Sequence, residues 1–315
     1  MSEPFERAPN LRGGASWIDQ PERGSVWIFR AVAALSLRCG RRASRALLHL
    51  IAAYYFLFSP AAARNSKRYL RRALARTATA RDRYAHLLCF ATILHDRLYL
   101  LNDRFSMFDI EVSGSELLER VTSAGSGCLL MGAHLGSFEI ARAVGRQIPG
   151  ISAVMAMYAE NARKVNAVLS ALDLRVKPEI IRLGTIDAML QIRTRLDEGA
   201  FVGVLGDRTI GHEPFLWIDF LGSPAPFPVG PWRAAAVLRR PVLFIAGLYC
   251  GANRYRLVID PVADFTSIPA EDRDAAIHSA IKRYAALLEG YCRTHPYNWF
   301  NFFDFWQEAP ETVHG

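Results

Sequence analysis

The chain has 315 residues, 51% of them hydrophobic, and carries a net charge of +8 with a mean hydropathy of +0.08. This is ample for a sizeable core, arranged as one large α/β domain or two small ones, and it is apolar for a soluble enzyme. Five scattered cysteines (Cys39, Cys89, Cys128, Cys250, Cys292) with no C-x-x-C pair argue against a disulfide framework and a zinc site, and fit a reducing compartment.

The charge is uneven. Residues 1–104 hold 18 Lys and Arg against 7 Asp and Glu, and the remainder holds 20 against 23. A basic front joined to a near-neutral body implies an anionic partner, either membrane phosphate or nucleic acid. Arginine supplies 34 of the 38 cations, which suits phosphate binding by shape and equally follows from genomic base composition.

In chain order, residues 1–23 read as an extended arm, too polar at their start for a signal peptide. Residues 24–105 read as a helical region that associates with a membrane and packs on the body. Within it, Ser25–Leu37 is apolar but punctuated by Arg30 and followed by Arg38. Ala46–Phe58 is apolar except for His49 and ends at Ser59-Pro60. A bilayer span needs about 20 apolar residues, so a helix in the headgroup region fits better. A tilted single span over 46–63 and a pair of soluble core helices stay open. Arg64–Arg83 reads as a helix with a cationic face, suited to an anionic leaflet. No nucleic-acid-binding motif accompanies it.

The body, 106–306, alternates strands and helices: helix Glu116–Ser123, strand Cys128–Met131, helix Glu139–Gln147 and strand Ile151–Tyr158. Helix Glu160–Leu172, strand Ile180–Leu183, helix Thr185–Glu198 and strand Ala200–Leu205 follow. Such alternation predicts a mostly parallel central sheet flanked by helices. Strand Pro214–Leu221, a proline-stiffened loop, helix Gly230–Arg239, strands Val242–Tyr249 and Tyr255–Ile259, and a helix from Pro269 to Thr294 complete it. Residues 307–315 are a tail.

Within this body one stretch stands out. His134 follows a short buried strand, at the carboxyl end where open α/β sheets place ligands. Glu139 opens the next helix, where the helix dipole favours a carboxylate that can hold the imidazole in one tautomer. The alternative is a strand-end histidine bonded to backbone. Asp207-Arg208 leaves strand Phe201–Leu205 on the same edge, and its plainer reading is a structural ion pair.

His134-Leu135-Gly136-Ser137-Phe138-Glu139 resembles the H-x4-D/E block of the lysophospholipid acyltransferase superfamily, in the form found in late lipid A (lauroyl or myristoyl) acyltransferases. Asp207-Arg208, the F-x-G loop Phe220-Leu221-Gly222 and the small-residue helix Ala234–Ala236 occur in that family's order. The aromatic tail from Pro296 to Trp306 does so too. The arm and the Arg-Tyr-Leu-Arg-Arg helix are similar to acyltransferases that accompany aryl-polyene-type lipids. Ala133 stands where the family usually has asparagine.

The resemblance implies a glycerol-3-phosphate acyltransferase-like domain at the cytoplasmic face of a bacterial inner membrane, peripheral or single-span. It would take an acyl chain from an acyl carrier protein or coenzyme A thioester to a hydroxyl or amine of a membrane lipid, with no metal or further cofactor. It implies His134 as general base oriented by Glu139. Backbone N–H groups of Gly136 and Ser137 would stabilise the oxyanion. Asp207, Arg208, Phe220, Gly222 and Phe227 would serve substrate or carrier binding. Two rivals are a serine hydrolase using Ser137, which lacks the second glycine of G-x-S-x-G, and a non-catalytic membrane-surface module.

Overall fold

The computed structural model describes residues 26–148, 150–158, 179–209 and 213–306. The expected helix Glu160–Leu172, the amino-terminal arm and the tail 307–315 lie outside these residues.

Three helices lead the chain: α1 (Val26–Phe58), α2 (Pro60–Ala73) and α3 (Ala80–Leu101). Gly40, at φ 80°, breaks α1 into two. The basic stretch Arg64–Arg83, expected as one helix, is divided between α2 and α3. Thr79 stops continuity there with a reciprocal cap, its hydroxyl accepting from the Asp82 N–H and its own N–H donating to the Asp82 carboxylate.

The body then follows with β1 (Asp109–Ser113), α4 (Ser115–Ser123), β2 (Cys128–Gly132), α5 (Phe138–Gly145), β3 (Ala153–Tyr158), β4 (Ile180–Leu183), α6 (Ile186–Asp197) and β5 (Phe201–Leu205). After these come β6 (Phe215–Phe220), β7 (Ser223–Pro228), α7 (Gly230–Val237), β8 (Pro241–Tyr249), β9 (Arg254–Asp264) and α8 (Arg273–Thr294).

Seven strands form one sheet in the order β1-β9-β8-β2-β5-β3-β4. All neighbours are parallel except β8 and β9. β2 sits in the middle with every residue buried, as a parallel strand covered on both faces must be. Its side chains alternate between two cores: Leu129 and Met131 pack toward α6, α7 and α8, Cys128 and Leu130 toward α3, α4 and α5.

Three details depart from the sequence reading. β1, at the sheet edge, precedes helix Glu116–Ser123, the first element the sequence predicts for the body. α8 starts at Arg273 rather than Pro269. The proline-rich stretch is strand β7, paired antiparallel with β6 outside the main sheet. Pro224, Pro226 and Pro228 occupy alternate positions, so their missing donors all fall on one side, which a two-stranded ribbon tolerates.

The leading helices are anchored to the body. Arg41 of α1 donates twice to Asp96 of α3, at 2.7 Å each, and Tyr255 of β9 donates to the same carboxylate at 2.8 Å. Leu48 and Ala52 are buried on this side of α1, whereas Leu50, Tyr54, Leu57 and Phe58 are exposed. No single described helix is long and apolar enough to cross a membrane. Leu35–Phe58 and Pro60–Ala73 together meet length and composition but are bent by 96°.

Candidate active site

The site is built by register. β2 and β5 are adjacent and parallel, with Gly132 opposite Leu205. His134 and Asp207 each lie two residues past those positions, so the chain brings them side by side at the sheet's carboxyl edge. The His134 ring meets Asp207 Oδ1 through Nδ1 at 2.9 Å, and the His134 backbone N–H donates to Asp207 Oδ2 at 2.9 Å. The Trp299 indole N–H donates to that same oxygen at 2.9 Å. Asp207 is wholly buried.

Burial opposes ionisation of Asp207. The His134 ring, the Arg208 cation and the Trp299 donor overcome it and hold the carboxyl well below the usual range. Burial, reinforced by the Arg208 cation, lowers the imidazole pKa of His134 despite the opposing pull of Asp207. A neutral ring at neutral pH follows. With Nδ1–H donated to the carboxylate, the lone pair sits on Nε2, on the far side of the ring.

The turn after β2 requires a glycine at position 136. Gly136 has φ +67°, and a Cβ there would lie 2.1 Å from the Gly247 carbonyl oxygen. Its N–H donates to the Asn298 carbonyl at 2.8 Å, and the Ser137 N–H donates to the Gly247 carbonyl at 2.7 Å. The Phe300 N–H reaches the His134 carbonyl at 2.8 Å, and Asn298 also clamps Tyr249 through its amide. The aromatic tail thus straps the histidine loop to β8.

His134, 29% exposed, opens into a cavity of about 480 Å³. Its walls are largely apolar: Phe90, Ile93 and Leu94 of α3, Met155 and Met157 of β3, and Phe300, Phe302 and Phe303 of the tail. Arg97, Glu139, Arg208, Gly136 and Ser137 also line it. Arg208 donates to the Phe300 carbonyl at 2.9 Å and stacks over Phe303. Burial brings its pKa down to about 10, against the pull of Asp207, so it stays cationic at neutral pH.

The chain matches the bacterial lipid A biosynthesis acyltransferase family over residues 13–308. It belongs to that family. Compared with curated proteins, it has no significant match. Membership makes the chain an acyltransferase of lipid biosynthesis, with an acyl donor and a lipid acceptor as its substrates.

The acyltransferase departs from the expected site in three respects. The carboxylate on the His134 ring is Asp207. Glu139 instead takes Arg97 at 3.0 Å and Arg142 at 2.7 Å, because α5 turns its first residues toward α3 and away from the imidazole. The N–H groups of Gly136 and Ser137 are consumed by backbone carbonyls, so they are not free for an oxyanion. The N–H groups of Phe138 and Glu139, at the start of α5, have no acceptor among the described residues. Phe220 and Phe227 are wholly buried and Gly222 sits in the β6–β7 turn, none of them on the cavity wall. Phe220 instead packs edge-on against Trp299, behind the indole that holds Asp207.

Trp299, Asn298 and Arg97 were not singled out from the sequence as site residues. The first two sit in a tail whose aromatic density was visible, and their individual roles needed its path past β8. No hydrogen bond joins Ser137 Oγ to a histidine or carboxylate among the described residues, so a serine nucleophile has no activating base. Among the same residues no His, Cys, Asp or Glu cluster is placed to hold a metal.

Proposed function

We propose that this protein moves a fatty or polyene acyl chain from a carrier thioester, of acyl carrier protein or coenzyme A, to a hydroxyl or amine of a membrane lipid precursor. The reading extends to the branch that accompanies aryl-polyene-type lipids. The observation that carries it is the His134 ring, its Nδ1 2.9 Å from the buried Asp207 carboxylate and open to an apolar cavity.

His134 Nε2 takes the acceptor proton as the acceptor oxygen or nitrogen attacks the thioester carbonyl carbon. Asp207 fixes the tautomer and stabilises the imidazolium that forms. The new C–O or C–N bond makes a tetrahedral oxyanion, which the free N–H groups of Phe138 and Glu139 are placed to receive. Its collapse breaks the C–S bond, and the imidazolium returns the proton to the departing thiolate. Arg208 supplies positive charge for a carrier or acceptor phosphate. The apolar walls take the acyl chain, burying about 0.8 kcal/mol per methylene.

The reading puts the protein on a membrane surface, at the cytoplasmic face of the inner membrane, and it is supported by the exposed Leu50, Tyr54, Leu57 and Phe58 beside the exposed Arg64, Lys67, Arg68 and Arg71. An apolar face flanked by cations suits an interfacial helix on an anionic leaflet. The test is turnover of radiolabelled acyl carrier protein or coenzyme A thioesters with membrane extract, wild type against His134→Ala. Transfer by the wild type and none by the variant is expected. Undiminished transfer by His134→Ala would remove the base from its role.

A further inference from the structure

Glu139, which leaves His134 alone, gathers two arginines in the wall of the same cavity. Its side chain is 5% exposed and both oxygens are taken, Oε1 by Arg97 Nε and Oε2 by Arg142 Nε. Arg142 gives a second donor to the Leu100 carbonyl at 3.1 Å and does not line the cavity. Arg97 gives only its Nε–H to Glu139, is 27% exposed and lines the cavity. Its two terminal amino groups reach no acceptor among the described residues.

Two guanidinium groups against one carboxylate leave this wall with one excess positive charge. Around Arg97 the α3 wall is Phe90, Ile93 and Leu94, so the guanidinium is set in an apolar face. A planar fork with its terminal donors unspent, held from behind by a buried carboxylate, matches a phosphate ester, which presents several acceptor oxygens to it.

We propose that Arg97 is a phosphate-receiving residue of the cavity, and that Glu139 is its positioning residue rather than a partner of His134. The ligand is an amphiphile whose chain lies along the apolar wall and whose phosphate meets Arg97. The deduction rests on the acyltransferase reading for its two phosphate-bearing substrates, the carrier's phosphopantetheine and the lipid acceptor, and its first test does not.

That test is binding of dodecyl phosphate against the uncharged dodecyl glucoside, by calorimetry, to wild type, Arg97→Ala, Arg97→Lys and Glu139→Gln. The wild type is expected to prefer the phosphate. Arg97→Ala should lose about tenfold to a hundredfold of that preference, the range of a charge-assisted hydrogen bond. Arg97→Lys should keep part of it. Glu139→Gln should lose it too, and the double variant should add little to either single change. Preference undiminished in folded Arg97→Ala overturns the proposal.

Turnover then separates the sources of phosphate. If the phosphate is the donor's, Arg97→Ala raises KM for a coenzyme A thioester but not for an N-acetylcysteamine thioester, which has no phosphate. If it is the acceptor's, the acceptor KM rises instead. A fall in kcat with neither KM moved refutes the assignment. Absence of wild-type turnover with any thioester defeats the acyltransferase reading, while dodecyl phosphate binding still decides the fate of Arg97.

Discussion

Asp207→Asn is the sharpest test of the site. The substitution keeps the shape and removes the charge that faces the ring at 2.9 Å. With charge centres about 4 Å apart and an effective dielectric of about 20, the carboxylate stabilises imidazolium by about 4 kcal/mol. That corresponds to about 10³ in kcat. The tautomer adds to the loss. An asparagine amide turned toward Nδ1 donates to it, which places the ring proton on Nε2 and abolishes the base.

With its amide on Nδ1, the asparagine oxygen still accepts from the Trp299 indole and the His134 N–H, which both meet Asp207 Oδ2. Those two bonds fall from charge-assisted to neutral, at about 1 kcal/mol of stability each. Thermal unfolding is therefore measured beside steady-state transfer at saturating thioester, and the rate is compared only where the variant is folded. The expected loss in kcat is about 10²–10⁴. A folded Asp207→Asn enzyme within tenfold of wild type would refute the pairing. The wild-type acid limb should lie below pH 6.5, because the ring's pKa is lowered, and activity should fall as the pH drops through it.

Ser137→Ala should retain transfer, since its hydroxyl lacks a base, and loss of turnover would revive the serine nucleophile. Arg41→Ala should cost about 3–5 kcal/mol in urea unfolding, because it leaves the buried Asp96 carboxylate uncompensated; a change below about 1 kcal/mol would show that the helix–body clamp is unimportant. His86, wholly buried between Ser66 and the Trp299 carbonyl, is held neutral by burial with its pKa lowered from 6.5 to about 4. The unfolded chain takes up that proton first as pH falls, so stability should drop by about 3 kcal/mol between pH 6.5 and 4, and a flat urea midpoint over that window would contradict it. Replacing Arg64, Lys67 and Arg71 together by Gln should weaken binding to anionic vesicles about a hundredfold at low salt, at about 1 kcal/mol per cation. Equal cosedimentation of variant and wild type would remove α2 from the membrane surface.

The sheet was legible in the sequence because its strands are short apolar runs between glycines and amphipathic helices. β2 with His134 and β5 with Asp207 were both readable in this way, down to the shared edge. The pairing of the two was not. Nothing within residues 127–142 says that β5, more than 70 residues on, is the neighbour of β2 in register. Glu139, five residues away, was the local candidate, and locality misled: five residues along one chain can be separated by a turn, whereas two strand ends in register are fixed a strand spacing apart.

The same reasoning explains the aromatic tail and β7. Composition alone marked Trp299 and Phe300 as apolar, yet their effect depends on the path that carries them across the histidine loop. Prolines at 224, 226 and 228 suggested a loop because proline lacks a donor, although alternate spacing removes only the donors that point away from the partner. The carboxylate partner of His134 is therefore a product of topology. An acid at the first helical turn is free to do other work, and in this chain it holds two arginines.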